Sequence, residues 1–417
     1  MKVLILGSGA REHAIVWKFS KSKRLAGLFI APGNAGTGEV GENLSNVNPM
    51  DFDAVVSACR QNKINLVFVG SEEPLSAGIV DRLMAEKIPV IGPHKAAAKL
   101  ESSKTFSKKF MLKYQIPTAE AKEFDNIQEF ENYISQKEGK KVIKKNGLAA
   151  GKGVLESSDK NELLQFGKSV LKHDTLLVEE FLKGYEISIF AVTDGKNHIV
   201  MPSCADFKKA LEGDQGQNTG GMGAICPVPI VDSALINRIR KEIVEPTFRG
   251  MEKEGLEHMG FLYFGLMITA DGPKVLEYNV RLGDPETQVL LPIIKSDFGD
   301  LMDAILQQDL KNFKLQLYND FAVGVVIASK GYPGHYKKGI EVHKLPVFPE
   351  KEVLIFHAST IKGEDNRIFT GGGRCFTVVG ISPDILNANA RAYEAAPKVK
   401  FEGAWYRNDI GDKFLHE

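Results

Sequence analysis

Lys274-Val275-Leu276-Glu277-Tyr278-Asn279-Val280-Arg281 contains the residue types most suited to chemistry. Its alternation predicts a strand with Glu277, Asn279 and Arg281 on one face and Leu276, Tyr278 and Val280 on the other. Three polar groups in a row on a buried strand are costly unless they bind something. A carboxylate and an amide oxygen suit Mg²⁺, which takes few protein ligands and fills its octahedron with phosphate and water. The plainer alternative is the solvated face of an edge strand. Gly283-Asp284-Pro285-Glu286 follows directly and extends the acidic cluster, which favours the metal.

Three glycine loops offer backbone N–H groups to anions. Gly147-Leu148-Ala149-Ala150-Gly151-Lys152-Gly153 follows the strand-like run Lys141–Lys145. It is not a Walker A loop, because the glycine spacing is short and Gly153 stands where Ser or Thr is required. Flanked by strand on both sides, it predicts a hairpin that closes Lys144, Lys145 and Lys152 over triphosphate oxygens. Gly7-Ser8-Gly9-Ala10-Arg11-Glu12 lies at a strand-to-helix turn. Glu12 replaces the third glycine of a dinucleotide fingerprint, and the next strand ends in Ala31-Pro32 with no acid for a ribose. NAD is therefore disfavoured. The turn is either an anion site with Arg11 as its charged fork, or only the tight start of a Rossmann-like domain. Asn218-Thr219-Gly220-Gly221-Met222-Gly223 is the third loop, open to a carboxylate or phosphate, or simply a turn. Asp206 and Lys208 just upstream suit a polar substrate. Glu179-Glu180-Phe181-Leu182 ends a strand whose backbone edge could read an adenine. No catalytic triad, HExxH or paired-Cys pattern occurs, and the nine histidines show no ligand spacing.

The elements that must position these groups alternate in type. Strands at Lys2–Leu6, Leu28–Ala31, Asn65–Val69 and Pro89–Gly92, with helices between them, imply βαβ units and a parallel sheet, an α/β fold. Loops at the carboxyl ends of such strands hold ligands. One helix is expected over Ser102–Tyr114 and a long one over Ser233–Lys253. Asp271-Gly272 signals a hairpin. A last region opens with a strand at Ala322–Ser329 and closes with a helix near Pro383–Tyr393.

Composition narrows the class. The chain has 417 residues with 53 Lys+Arg against 53 Asp+Glu, so no basic excess exists to bind nucleic acid. No apolar run approaches a membrane span, and the N-terminus reads as a strand rather than a signal peptide. Four separated cysteines fit a reduced, cytoplasmic setting.

GSGAREHA (7–14), APGNAGT (31–37), PTAE (117–120), NGLAAGKGV (146–154), NTGGMGA (218–224), GFLYFGLM (260–267), LEYNVRLGDPETQ (276–288) and TGGGR (370–374) occur together and in this order. With them the chain resembles the ATP-grasp ligases along essentially its whole length, most closely the glycinamide ribonucleotide synthetase family of purine biosynthesis. The resemblance implies a multidomain α/β and α+β fold. A Rossmann-like domain would span 1–101. A two-lobe ATP-grasp core would span 102–315, with the lid lobe 118–182 inserted, and a small α+β C-terminal domain 316–417. It implies ATP-dependent ligation of glycine to 5-phosphoribosylamine through a glycyl phosphate, with Mg²⁺ or Mn²⁺, by a cytoplasmic monomer.

On the same resemblance Lys104 and Lys144 hold ATP phosphates. Gly147, Gly151, Lys152 and Gly153 form the phosphate loop, Glu179, Glu180, Phe181 and Leu182 the adenine hinge, and Glu186 takes the ribose. Glu277 and Asn279 are the metal ligands. Gly9, Arg11, Glu12, Asn34, Gly36, Glu73, Asp206, Lys208, Asn218, Gly220, Gly221 and Gly283 line the substrate sites. Lys144, Arg281, Asp284 and Glu286 are the catalytic groups. The chain departs from the family pattern at Asn146, where Asp is common, at Ser71-Glu72-Glu73 in place of Pro-Glu-Ala, and at Tyr185 in place of Glu. Three alternatives compete: another ATP-grasp enzyme, an NAD oxidoreductase, and a catalytically silent nucleotide-binding regulator.

Overall fold

Four apolar runs, Lys2–Gly7, Gly27–Pro32, Leu66–Val69 and Val90–Pro93, pair in parallel. Strands covered on both faces need continuous rather than alternating apolar residues, and Val3, Leu4, Ile5 and Leu6 are fully buried. Lys2–Gly7 has Gly27–Pro32 on one side and Leu66–Val69 on the other. Strand order reverses across it, which opens a crevice at the carboxyl ends. The loops Gly7–Gly9 and Gly70–Glu72 leave the sheet at that point. The computed structural model describes residues 1–148 and 153–415.

The same sheet continues into the core of the chain. His258–Thr269 pairs antiparallel with Val90–Pro93, and also with Tyr185–Thr193 and Gly272–Asn279. The expected Asp271-Gly272 hairpin therefore forms, and nine strands share one sheet. A second sheet of four antiparallel strands, Ala121–Phe124, Leu176–Glu180, Lys141–Lys145 and Val154–Ser157, forms where the lid lobe is expected. It has its own small core around Phe124, Phe130, Ile143 and Leu176.

A third sheet combines Phe321–Ser329, Arg374–Ser382, Val353–His357 and Ala404–Trp405 with two earlier strands, Ala205–Asp206 and Gly223–Cys226. The C-terminal region is thus stitched into the core by strand pairing, in keeping with the absence of a linker in the sequence. The helix Ile385–Ala395 covers it with Ala388, Ala392 and Ala395 buried.

Two helix expectations change in detail. Ser102–Tyr114 is not one helix: Lys95–Ser102 and Lys104–Lys113 break at Ser103, whose extended backbone lets its hydroxyl cap Phe106 N–H. The stretch Ser233–Lys253 passes through a π-helical turn, Arg240–Val244, between two α-helical segments. Among the described residues no helix is long and apolar enough to cross a membrane.

Candidate active site

The strand Gly272–Asn279 carries the polar face foreseen in the sequence, but not with strict alternation. A bulge shifts its register: Glu277 opposes Gly265 while Val275 opposes Leu266. The extra residue is Leu276. Val275 and Tyr278 therefore fill the core, and Leu276, expected there, sits half-buried outside it. Its freed carbonyl accepts from Lys144 Nζ at 2.9 Å. Glu277 and Asn279 keep the same side as expected.

Cations converge on that side. Lys208 Nζ lies 3.6 Å from Glu277 and also pairs with Glu186. Lys144 bonds Glu179 at 2.7 Å, and Lys104 Nζ donates to the Gly147 carbonyl at 3.2 Å. Burial would raise the Glu277 pKa, but Lys208, Lys144, Lys104 and Arg281 outweigh it and hold it below the ordinary value. Burial pushes the Lys104 pKa down. A cluster of cations around one carboxylate is an environment for polyanionic phosphate.

The adenine reading concerns the backbone edge of Glu179–Leu182; the Glu179 side chain itself is taken up by the protein. It is buried between Lys108 at 2.9 Å and Lys144 at 2.7 Å. A carboxylate this deep needs counter-ions, and two lysines on neighbouring elements supply them. The Glu180 amide donates to the Glu120 carbonyl, and its side chain receives Glu120 N–H and Lys274. Phe181 is partly exposed beneath Lys140, whose ammonium lies 3.8 Å over its ring, and Leu182 is buried. Gly153 lies at the base of the lid hairpin, its carbonyl accepting from Lys145 N–H at 2.8 Å. Gly151 and Lys152 lie outside the described residues.

At the switch-point crevice the Gly9 amide that could bind an anion is already engaged. Glu12 Oε2 accepts the Gly9 amide at 2.6 Å, and Oε1 accepts Arg11 Nε at 2.6 Å. Glu12 is buried and fits because Gly7 and Gly70 lack Cβ atoms, which would stand 2.6 Å and 2.2 Å from it. Gly9, Arg11 and Glu12 therefore satisfy one another first. Arg11 also donates to the Leu282 carbonyl at 3.2 Å. Asn34 is likewise engaged by the protein, donating to the Ser8 and His357 carbonyls and accepting from the Gly36 and Thr37 amides. Gly36 packs against His13 and His357, where a Cβ would clash.

Glu73 is a second correction. It is exposed, and Glu72 is the acid that turns inward, 3.8 Å from Arg11 and 3.6 Å from Arg281. Burial works against the Glu72 carboxylate, but Arg281 and Arg11 win and lower its pKa from 4.5 to about 2. The ion pairs thus add stability that is complete above pH 4.5, shrinks as pH falls and is gone below about 2. The upper bound is about 3 kcal/mol. Urea midpoints of the wild type and Glu72→Gln should differ most at neutral pH and converge on acidification. A difference independent of pH would contradict this ionisation.

Two acids lie deeper. Glu286 is buried and Asp206 half-buried, and desolvation raises each pKa; the Glu286 charge raises Asp206 further. Glu286 receives the Ser188 hydroxyl at 2.9 Å, and Gly283 is glycine because a Cβ would meet Glu286 Oε2 at 2.4 Å. Asp206 Oδ1 is buried with no hydrogen-bond partner. An orphaned carboxylate oxygen points to a donor supplied from outside the chain.

In the third glycine loop the amides are taken up by the protein, which favours the turn over the anion site. Thr219 N–H goes to the Lys208 carbonyl, Gly220 N–H to Tyr332 Oη, Gly221 N–H to Thr219 Oγ1 and Met222 N–H to the Phe207 carbonyl. Its glycines serve close packing: a Cβ on Gly221 would stand 2.4 Å from Pro285 and 2.6 Å from Asp206. Asn218 ends the strand Gln215–Asn218 and pairs with Lys209. Asp284 is held by Gln288 at 2.7 Å and Arg374 at 3.1 Å.

Several participants were not foreseen. Glu101 bonds Arg281 at 2.8 Å and caps the Val280 amide at 2.8 Å. Lys108 stands one helical turn from Lys104, a spacing that could have been noticed. Ser188 and Tyr332 had no local signal, Glu72 had its place as the Glu of the Pro-Glu-Ala position, and Arg374 had only its TGGGR motif. Among the described residues no group of three or more His, Cys, Asp or Glu could hold a metal by itself. Glu277 and Asn279 fit only an ion that takes most of its shell from a ligand, which is the habit of Mg²⁺.

Residues 1–101 match the N domain of phosphoribosylglycinamide synthetase, 102–287 its ATP-grasp (A) domain and 322–413 its C domain. The phosphoribosylamine–glycine ligase of Caldanaerobacter subterraneus subsp. tengcongensis is 44% identical, over 98% of this chain and 99% of that protein. The trifunctional purine biosynthetic protein adenosine-3 of Gallus gallus is 43% identical over 98% of this chain and 42% of its own length. The crystal structure of phosphoribosylamine–glycine ligase from Thermotoga maritima has a TM-score of 0.83 and 37% identity, covering 98% of this chain and all of that one (100%). A biotin carboxylase from Campylobacter jejuni shares the fold at TM-score 0.73 and 14% identity, over 97% of this chain and 92% of that one.

Proposed function

Because the chain belongs to the phosphoribosylglycinamide synthetase family, we propose that it joins glycine to 5-phosphoribosylamine, converting ATP to ADP and phosphate. The observation that carries this reading is the convergence of Lys104, Lys144 and Lys208 on Glu277, beside the orphaned Asp206 oxygen. The first group suits a nucleoside triphosphate and the second a substrate amine.

Phosphoryl transfer depends mainly on positioning and charge neutralisation. Lys104 and Lys144 neutralise the ATP phosphates. Glu277 and Asn279 would hold Mg²⁺ or Mn²⁺, which would supply neutralisation of phosphoryl charge. The glycine carboxylate oxygen bonds to the γ-phosphorus as the bond to ADP breaks, giving glycyl phosphate. The phosphoribosylamine nitrogen then bonds to the glycyl carbon, phosphate leaves, and the nitrogen gives up a proton. Asp206 and Glu286 are the acids available to take it. Arg281, held by Glu101 and Glu72, keeps positive charge beside the reacting groups. All four cysteines are free and buried, which supports a reducing, cytoplasmic setting.

The test is ADP release by the purified protein with each substrate omitted in turn. Dependence on both glycine and phosphoribosylamine is expected; release at the full rate without either one would contradict the reading.

The acid pair makes a second expectation. With both acids raised by burial, kcat/KM should have an acid limb above the ordinary carboxylate range. Glu286→Gln removes the charge that raises Asp206, so the limb should move to lower pH. An unmoved limb would take the proton away from this pair.

A further inference from the structure

TGGGR (370–374) is a motif of the sequence that the proposed chemistry leaves without a role. Its arginine starts the strand Arg374–Ser382, yet its side chain leaves the C-terminal region and enters the core. Arg374 Nη1 donates to the carbonyls of Gly220, of Gly221 at 3.2 Å and of Asp284 at 3.2 Å. Nη2 meets the Asp284 carboxylate at 3.1 Å. One guanidinium thus ties the glycine loop to the loop that leads into Glu286. Tyr332, also from the C-terminal region, accepts Gly220 N–H at 3.0 Å. The Gly220 residue is gripped at both its N–H and its C=O.

The glycines explain themselves around this grip. A Cβ on Gly220 would stand 2.9 Å from the Arg374 guanidinium carbon, and one on Gly373 would stand 2.2 Å from the Tyr332 ring. Ser329 anchors the turn, donating its amide N–H to the Gly373 carbonyl at 2.7 Å and its hydroxyl to the Gly372 carbonyl at 3.0 Å. A planar fork suits several fixed acceptors at once, which a lysine cannot match.

We propose that Arg374 and Tyr332 form a positioning clamp by which the C-terminal region sets the substrate half of the active site. The clamp fixes where Asp206 and Glu286 stand, because Gly221 packs on Asp206 and Asp284 precedes Glu286 by two residues. It does not touch Lys104, Lys144 or Glu277. Both acceptor substrates depend on the clamped loops, whereas the nucleotide does not. This rests on the ligase reading above. Failure of that reading would show in the wild type, as ADP release indifferent to glycine or phosphoribosylamine.

The experiment compares Arg374→Ala, Arg374→Lys and Tyr332→Phe with the wild type. Misplacing reacting groups by about 1 Å costs roughly 100-fold. Arg374→Ala should lower kcat/KM for glycine and for phosphoribosylamine by roughly that factor, while the Kd of a non-hydrolysable ATP analogue with Mg²⁺ stays within about twofold. Added guanidinium ion should restore about a tenth or more of the lost rate in Arg374→Ala and do nothing for Arg374→Lys. Tyr332→Phe should move both substrates in the same direction by about tenfold or less, as expected for one neutral hydrogen bond. If Arg374→Ala does not fold, Arg374→Lys and Tyr332→Phe decide by the same two readouts. Loss confined to phosphoribosylamine would make Arg374 a direct ligand of that substrate and overturn the clamp. Parallel loss of nucleotide affinity, or no loss at all, would overturn it too.

Discussion

Glu277→Gln is expected to abolish turnover while leaving the fold intact. At neutral pH Glu277 is a carboxylate, since Lys208, Lys144, Lys104 and Arg281 lower its pKa against the effect of burial. The amide keeps the shape and loses the charge. Two consequences reinforce each other. The metal loses its one charged protein ligand, and the surrounding cations lose their counter-ion and repel the incoming ion. Charge stabilisation by a bound ion amounts to several kcal/mol, so a loss on the order of 10³ in kcat is expected. Glu277 is about one-third exposed, at 35%, so the apo thermal midpoint should move little. ADP formation against Mg²⁺ concentration is the measurement. Wild-type turnover with unchanged Mg²⁺ half-saturation would remove the metal from this strand.

Lys144→Met is expected to have the second largest effect. Lys144 is 9% exposed, bonded to Glu179 and to the bulge carbonyl of Leu276. Its head group is therefore set between the lid lobe and the central sheet. Methionine keeps much of the stem volume and removes the ammonium. One charge-assisted contact accounts for about 1.5–3 kcal/mol, or roughly 10- to 100-fold in ATP affinity. Further loss in kcat follows if the charge strengthens its contact in the transition state. Glu179 keeps Lys108, so the buried carboxylate is not left alone and the protein should still fold. Glu179→Gln is the companion variant: it leaves the Lys144 charge and removes its anchor, and should weaken the ATP analogue less. Equal analogue affinity in wild type and Lys144→Met, by calorimetric titration, would show that Lys144 serves only the structure.

Much of this architecture was legible in the sequence. Lys2–Gly7 and Leu66–Val69 announce buried parallel strands by their unbroken apolar runs, and Asp271-Gly272 announces its hairpin. The Glu277/Asn279 pairing on one face also came through, because the bulge falls before Glu277 and the alternation is regular from there to Asn279. These features depend on steric preferences within a few residues.

Other features depend on partners far along the chain. Glu72 rather than Glu73 turns inward because Arg11 and Arg281 wait there, and Arg281 lies more than 200 positions away. Leu276 leaves the core because Gly265 and Leu266 set the bulge register, not because of anything in its own strand. Gly9 and Gly220 look like anion loops in sequence, yet Glu12 and Tyr332 already occupy their amides. The sequence by itself determined the order of elements, the family and the chemical inventory of the site, since each is written in local pattern. Tertiary structure decided which member of each motif faces a ligand and which pairs with the protein. The reason is desolvation: once buried, every charge and amide must find a partner, and that partner is chosen by packing between the sheets.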